Sequence, residues 1–531
     1  MLRSAPLADA ARADSLVKAN GLDVAAGDAA PKSRTFKAGM LASGQVTASA
    51  AGFVILAVLS RLLSRHEYAT YRQVLLCFAM VLPFLQLGLP VALYYYLPAE
   101  KQRPRGVIVD NLLALALAGS AYLVFLVAGG AGFWAARMGN ADLGGLLYLM
   151  APYGVALALR SSLPACFMSA DRASALAIYN ALSRCFECLL IVLAVLFWGG
   201  LVPVTLATAV GSIAAAAVGV VMALGLYGSG SAAPSLAGIK RQLTYGAPLV
   251  LAMIFAGLMG YLDQLVVSLK CSSEAFATYV NGAVRIPLLP VIVSSVTAVL
   301  LPELTILHKN ADHRRMLEIW QNALVKSSCL ILPVTIFAMV LADDVVVFLF
   351  SDRYAASVPI FRIFCLILPF KMVSYEAILA AANKNRYFAL VSAITVGIYL
   401  PLLVVAVDYF GILGAVVATV FVEVCVRFAL YLVFIGKTVG TPARAVVPIR
   451  RLSRLSWPAL ALACPLLLRP LLSLPPALSL VVCGLYYFSA CYLWLTRKAE
   501  APRLTIVETV LARVRHGLGL PDGICADRSS R

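Results

Sequence analysis

Arginines stand within stretches of this chain that are otherwise apolar, and their chemistry suits the binding of an anion. Arg160 and Arg285 have no acidic residue within a helical turn in the sequence. Each therefore needs a carboxylate from another part of the fold, water, or an anionic ligand. A charge placed in hydrocarbon costs at least ~2.5 kcal/mol, so a charge that is kept there indicates a function. Because guanidinium groups bind phosphate through paired hydrogen bonds, these arginines predict a site for an anionic headgroup.

Two charged pairs have the spacing of residues that meet on one face of a helix. Arg184 and Glu187 stand three residues apart, and Glu423 and Arg427 stand four apart. Such spacing permits ion pairs within a helix. Each pair is consistent either with a neutralised structural contact or with part of a binding site.

Two groups of candidate site residues follow from these charges. The candidate ligands of a headgroup are Arg285, Arg160, Arg184, Arg427, Lys371 and Arg61. The candidates for ion coupling or gating are Asp263, Glu187, Glu376 and Glu423.

Motifs for soluble catalysis are missing from the sequence. Gly436-Lys437-Thr438 lacks the earlier glycine of a phosphate loop, since residue 431 is Tyr431, and the His-Glu-x-x-His zinc motif does not occur. Cys185 and Cys188 have no second pair of ligands nearby, whereas a structural zinc takes about four. We therefore predict no catalytic residue, metal or cofactor, and we predict that the protein is not an enzyme.

The elements that hold these charges are predicted to be membrane-spanning helices. The chain has 531 residues, of which 62% are hydrophobic and only 13% charged, whereas soluble domains carry about 25% charged residues. Apolar stretches of about 20 residues, the length of one span, recur along the chain. They predict an all-α polytopic membrane protein of about fourteen helices, approximately at residues 40–62, 72–97, 107–130, 144–168, 175–198, 202–227, 244–268, 279–301, 317–341, 356–382, 387–407, 411–436, 455–472 and 476–496.

The net charge of +18 would suggest nucleic acid in a soluble protein, but here topology explains it better. Lysines and arginines are concentrated in alternate connections, at 98–106, 169–174, 228–243, 302–316, 383–386 and 437–454. Because basic loops stay in the cytoplasm, both termini are predicted to be cytoplasmic and no nucleic-acid partner is expected.

An internal repeat predicts two similar halves. Tyr68-Ala69-Thr70-Tyr71 follows the first predicted helix, and Phe276-Ala277-Thr278-Tyr279 follows the seventh. Parallel repeats of this kind are typical of transporters that rock two halves around a central site. The predicted organisation is a disordered cytoplasmic tail (1–38), two six-helix lobes related by pseudo-symmetry (39–228 and 240–438), two additional helices (450–497) and a basic cytoplasmic tail (498–531).

Several segments between about 40 and 440 resemble the bacterial flippases for lipid-linked oligosaccharides used in polysaccharide biosynthesis, members of the multidrug/oligosaccharidyl-lipid/polysaccharide exporter superfamily. The resemblance rests on residues 59–72, on 88–93, on Tyr261-Leu262-Asp263-Gln264-Leu265, on Leu301-Pro302-Glu303 and on 411–416. Arg285, in Asn281-Gly282-Ala283-Val284-Arg285, resembles an arginine that the related peptidoglycan-precursor flippases use in their cavity. The basic pair in the first helix of those flippases has no clear counterpart, which makes the peptidoglycan precursor a less fitting cargo.

The resemblance implies two six-helix lobes in a V, working by alternating access in the bacterial inner membrane. The implied cargo is an undecaprenyl-diphosphate-linked oligosaccharide for O-antigen, capsule or exopolysaccharide. The implied partners are this lipid-linked glycan, membrane lipids and other polysaccharide assembly proteins.

Three other functions stay open from the sequence. A cation-coupled drug exporter of the same superfamily would conflict with many unpaired arginines in the cavity. A membrane polysaccharide polymerase or ligase generally needs a long outer loop, and every predicted outer loop is about fifteen residues or shorter. A scaffold without transport activity is disfavoured by the charges within the spans.

Overall fold

The computed structural model describes residues 30–228, 231–286, 288–472 and 474–497, and these residues form helices without a strand. Residues 1–29 of the predicted tail at 1–38, and all of the predicted tail at 498–531, lie outside the described residues. The first helix begins at Ala30. Pro31 stands in the first turn, where a missing N–H removes no helical hydrogen bond, so the helix can extend past the apolar stretch.

The first half of the chain contains nine helices among its described residues. They are α1 (Ala30–Leu62), α2 (Arg65–Gln86), α3 (Leu89–Tyr96), α4 (Pro104–Phe125), α5 (Ala131–Arg137), α6 (Asp142–Leu149), α7 (Ala151–Ser169), α8 (Ala173–Phe197) and α9 (Leu201–Gly225). The helix predicted at 72–97 is in fact interrupted between α2 and α3. Leu87 and Gly88 there have left-handed φ angles of 48° and 71°, which end the helical hydrogen-bond pattern.

The second half is broken more often than the sequence predicted. Its helices are α10 (Leu236–Met259), α11 (Leu262–Lys270), α12 (Ser273–Gly282), α13 (Leu288–Lys309), α14 (His313–Val340), α15 (Ala342–Phe350), α16 (Val358–Cys365), α17 (Tyr375–Ala381), α18 (Asn385–Phe421), α19 (Phe428–Val439), α20 (Ala443–Val446), α21 (Ile449–Ala463) and α22 (Pro476–Arg497). A 55° bend separates α10 from α11, and a 48° bend lies between Asp352–Cys365 and Leu368–Ala381.

The helices of the described residues are long and apolar enough to cross a membrane many times. Nine of them qualify singly, and up to twelve spans result if three bent pairs each count as one. One qualifying stretch, Arg386–Val439, has 54 residues, which would give a straight helix of about 80 Å against a hydrocarbon core of about 30 Å. The chain instead reverses at Gly411, whose φ is 58°, and the hydroxyls of Tyr399 and Thr419 meet at 2.7 Å across the hairpin. This stretch therefore makes two crossings, and the protein is a multi-pass membrane protein.

The repeated segments begin equivalent helices that pack on each other. The Ser64 hydroxyl caps α2 by accepting a hydrogen bond from the Glu67 N–H, and the Ser272 hydroxyl caps α12 in the same way from the Ala275 N–H. The Tyr68 hydroxyl on α2 donates to Asn281 Oδ1 on α12 at 2.7 Å. The two copies of the repeat thus form a contact between the halves.

The additional helices α21 and α22 are attached to the second half by a buried carboxylate. Asp344, at the start of α15, is 2% exposed. It accepts hydrogen bonds from the Arg469 guanidinium and from the Ser479 hydroxyl, the latter at 2.8 Å. Because Arg469 lies between α21 and α22, this contact fixes the end of the helix pair on the bundle.

Candidate functional site

A cluster of ionised side chains lies inside the first half, on regular helices. Glu187 on α8 has a side chain that is only 5% exposed, and each of its carboxylate oxygens binds a different arginine. Arg184 Nη1 donates to Oε2 at 2.8 Å, and Arg160 Nη1, from α7, donates to Oε1. Arg160 also donates to Ser212 Oγ on α9 at 3.1 Å. We call these four residues the first-half cluster; its two guanidiniums and one carboxylate leave one positive charge in excess.

The sequence predicted part of this arrangement. The pair of Arg184 and Glu187 forms as its spacing indicated. The partner that Arg160 requires is the same carboxylate, supplied from a neighbouring helix. Arg184 keeps 41% of its side chain exposed and Arg160 keeps 23%, so both guanidiniums retain donors for a further acceptor.

A second cluster lies in the second half and joins residues of four helical segments. Glu423 accepts from Arg427 Nη1 at 3.1 Å and lies 3.3 Å from Lys371 Nζ. Arg427 Nη2 also reaches Glu376 Oε1 at 3.4 Å, and the Tyr431 hydroxyl donates to the same oxygen at 2.8 Å. We call these five residues the second-half cluster. Its two cations and two carboxylates balance in charge.

The second-half cluster lies on irregular backbone, whereas the first-half cluster lies on regular helices. Lys371 ends a short 3-10 helix, Leu368–Lys371. Glu423 and Arg427 lie in the π-helical segment Val422–Arg427. Within a membrane, non-helical backbone is tolerated only where it is buried in protein or lines a water-filled cavity, and π-bulges are frequent at functional sites. The ionised groups of the second-half cluster thus lie on backbone of a kind that is common at functional sites.

Arg285 lies in a break between α12 and α13, and the prediction that it lies within a helix at 279–301 is wrong. The sequence has prolines at 287 and 290, and a residue before a proline is disfavoured in helical conformation. Arg285 is exposed, donates to the carbonyl oxygen of Gly260 at the bend between α10 and α11, and lies with its guanidinium carbon 5.8 Å from the centroid of the Tyr261 ring. Among the described residues it forms no ion pair. Arg285 is thus a cation on unwound backbone, and its guanidinium has further N–H groups that can donate to a ligand.

Asp263 lies close to this break and is buried, being 4% exposed. Its Oδ2 accepts a hydrogen bond from the Tyr279 hydroxyl at 2.8 Å, whereas its Oδ1 has no hydrogen-bond partner among the described residues. A buried carboxylate with one unsatisfied oxygen suits a proton or a cation.

Arg61 lies apart from both clusters, at the end of the bundle that holds the α1–α2 turn. Its guanidinium donates to carbonyl oxygens of Phe348 and Leu349 at the end of α15, at 3.0 Å for Leu349. A second contact between the halves is the hydrogen bond that Gln73 Nε2 on α2 donates to Ser268 Oγ on α11, at 3.0 Å. These contacts, with that of Tyr68 and Asn281, close the two halves together at this end.

The opposite end, which holds the α9–α10 connection, is closed by residues that sequence reasoning missed. Asp110 on α4 is 1% exposed and accepts a hydrogen bond from the Ser235 N–H at 2.6 Å, next to the start of α10. Asn111 Nδ2 donates to Gln242 Oε1 on α10 at 2.6 Å. We call these four residues the α10 latch. The adjacent Asp110 and Asn111 within a predicted apolar helix were the signal that could have revealed it.

Glycines allow the helices to meet at the latch. Gly88 and Gly246 face each other so closely that a Cβ on Gly88 would lie 2.7 Å from the Gly246 Cα. Helix α10 packs on α3, α2 and α4 of the first half and also on α18 of the second half, whereas α11 packs mainly on α18 and α12 of the second half. The bend at Gly260 and Tyr261 lies between these two helices.

Comparison with solved structures shows the same fold in a lipid flippase and in two transporters of the MOP superfamily. The lipid II flippase MurJ in an inward closed conformation matches with a TM-score of 0.65 and 14% identity, covering 85% of this chain and 99% of that one. An inward-facing multidrug resistance MATE family transporter of the MOP superfamily gives 0.60 and 15%, covering 75% and 96%. A MOP superfamily transporter from Pyrococcus furiosus, described as having a binding pocket of reverse polarity, gives 0.56 and 12%, covering 77% and 96%.

Comparison by sequence identifies the family. No curated protein matches the chain. The family described as polysaccharide biosynthesis protein matches residues 36–308, which is more than half of the chain and includes the first-half cluster, the α10 latch and Arg285. Because this match covers more than half of the chain, the chain belongs to the polysaccharide biosynthesis protein family.

Proposed function

We propose that this protein flips an undecaprenyl-diphosphate-linked oligosaccharide across the bacterial inner membrane, from the cytoplasmic to the periplasmic leaflet. It works by alternating access and serves the synthesis of a surface polysaccharide such as O-antigen, capsule or exopolysaccharide. Both termini are cytoplasmic, which makes the α10 latch the inner closure and the Arg61 contacts the outer closure. The observation that carries the proposal is Arg285, an exposed guanidinium on unwound backbone beside the bend between α10 and α11.

The charges of the interior suit a diphosphate. Five cations (Arg160, Arg184, Arg285, Lys371 and Arg427) stand with four carboxylates (Asp263, Glu187, Glu376 and Glu423), and Arg285 is the cation without an ion pair among the described residues. Guanidinium groups bind phosphate oxygens through paired hydrogen bonds. The main barrier to flipping is the passage of sugar and phosphate through hydrocarbon, and a basic, hydrated interior removes it while the lipid tail stays in the bilayer.

Deletion of the gene tests this function. We expect a complete lipid-linked repeat unit to accumulate on the cytoplasmic leaflet while the surface polysaccharide disappears. If the unsubstituted gene restores the surface polysaccharide and the Arg285→Ala gene does not, Arg285 is part of the headgroup site. Arg314→Ala is a matched control, because Arg314 is 91% exposed and pairs only with Glu318 along its own helix.

Other outcomes would contradict the proposal. Full polysaccharide with Arg285→Ala would show that this residue is not a headgroup ligand. Repeat units that reach the periplasm without being polymerised or ligated would indicate a later step of assembly.

A cation-coupled drug exporter is the second candidate, because the chain shares its fold with multidrug transporters. The exposed guanidinium of Arg285 would repel a cationic drug, which favours the glycan carrier. Unchanged glycan in the deletion strain, together with increased retention of ethidium, would reverse this preference.

A further inference from the structure

Three tyrosines and an arginine form an exposed group beside the α10 latch. Tyr95 and Tyr96 end α3, and Tyr245 lies on the facing part of α10. The rings of Tyr95 and Tyr245 are stacked, with centroids 4.6 Å apart and planes inclined by 18°. Tyr96 meets both rings edge-on, and the guanidinium carbon of Arg241 lies 4.1 Å from the centroid of its ring. We call these four residues the tyrosine platform.

Contacts between the helices of the protein hold the tyrosine platform in place. The close approach of Gly88 and Gly246 sets the distance between α3 and α10. Asn111 on α4 links the same two helices, because its Nδ2 donates both to the Leu89 carbonyl oxygen of α3 and to Gln242 Oε1 of α10. In spite of this packing, Tyr95 remains 59% exposed and Arg241 is exposed. The arrangement therefore presents a fixed aromatic face and a cation to whatever enters at this end of the bundle.

Position distinguishes these tyrosines from aromatic residues that only anchor spans at the membrane surface. Tyr95 lies in the last turn of α3, which packs on α10. Tyr245 is next to Gly246, the residue of α10 that lies against Gly88 of the first half. The stack thus joins two segments that are far apart in the chain, at the closure between the halves. An anchoring aromatic needs no such partner; Tyr409, which is 79% exposed at the α18 hairpin, has only a tilted contact with the neighbouring Phe410.

We propose that the tyrosine platform is a carbohydrate subsite that binds a sugar ring of the glycan headgroup. This inference rests on the proposed function and names a part of its substrate site. The C–H groups on one face of a pyranose carry partial positive charge and pack against the electron-rich face of an aromatic ring. Arg241 offers hydrogen bonds to hydroxyl or acidic substituents of the same sugar. The subsite recognises sugar, separately from the arginines within the bundle, which recognise phosphate.

Binding of two soluble probes to the purified full-length protein in nanodiscs tests the subsite. One probe is the free repeat-unit oligosaccharide, released from the host's own surface polysaccharide; the other is inorganic pyrophosphate. We expect Tyr95→Ala to weaken oligosaccharide binding about tenfold, as for loss of one stacking ring, and to leave pyrophosphate binding unchanged. Tyr95→Trp should retain oligosaccharide binding, since it keeps an aromatic face. Tyr409→Ala is the matched control for loss of an exposed tyrosine.

Three results would overturn the subsite. They are equal oligosaccharide affinity of Tyr95→Ala and the unsubstituted protein, a parallel loss of pyrophosphate binding in Tyr95→Ala, and an absence of oligosaccharide binding by the unsubstituted protein. None of these results tests the proposed flipping, because that proposal is tested by the lipid-linked repeat units that accumulate in the deletion strain. Conversely, a deletion strain with normal glycan would remove the proposed function whatever the platform binds.

Discussion

Replacing Glu187 by glutamine should destabilise the protein more than replacing either arginine that binds it. Glu187 is shared, so Glu187→Gln leaves two guanidiniums facing each other without a carboxylate. Arg160→Met or Arg184→Met still leaves a neutral pair. The first-half cluster therefore predicts an order of effects that a simple count of ion pairs does not.

The magnitudes follow from burial. Removing one partner of a buried pair costs about 3 to 5 kcal/mol, and we expect the lower figure for Glu187→Gln because the glutamine keeps one acceptor oxygen. The side chain of Arg184 is 41% exposed, so its pair resembles a surface pair worth less than about 1 kcal/mol. Arg160 is 23% exposed and also bonds Ser212, which places Arg160→Met between the two, at about 2 kcal/mol.

The free energy of unfolding, measured for each purified variant by denaturant titration in mixed micelles, checks this order. A loss below about 1 kcal/mol for Glu187→Gln would show that water screens the cluster as it does at a protein surface. A loss for Arg160→Met equal to that for Glu187→Gln would show that Arg160 stabilises the fold through contacts other than this carboxylate.

Two further substitutions test how the helices are held together. Gly88→Ala should separate α3 from α10 and speed hydrogen exchange of the α10 backbone, because its Cβ would lie 2.7 Å from Gly246. The control Gly440→Ala has a similar left-handed φ of 76° and open space around it, so it should cost only the backbone strain of about 1 kcal/mol; equal exchange in both would refute the clash. Asp344→Asn should loosen α21 and α22 from the bundle, because Arg469 loses its buried carboxylate. Unchanged protease resistance of the α21–α22 region would contradict this.

Sequence reasoning could predict what depends on neighbours along the chain. The two helical ion pairs, the repeat and the succession of apolar helices all follow from local spacing. The partners of Arg160 and Lys371 could not be predicted, because each is a carboxylate on another helix whose position depends on packing. The break at Gly260 was missed because apolar composition is the same in a continuous span and in an interrupted one. The break at Arg285 had a sign in the sequence, the prolines at 287 and 290.

The attachment of α10 limits how the protein can be divided or recombined. Two fragments separated ahead of Ser235 would resemble the two halves of the sequence repeat, yet the first would lose the helix that covers α2, α3 and α4, and the second would carry that helix with its partners missing. Each fragment would then expose polar groups that are buried in the whole chain, among them Asp110 and Gln242. Chimeras that exchange halves between relatives should therefore place their junction at the bend after Met259, which keeps α10 with the first-half helices α2, α3 and α4 and changes its contact with α18. A junction in the preceding connection would pair each first half with a foreign α10.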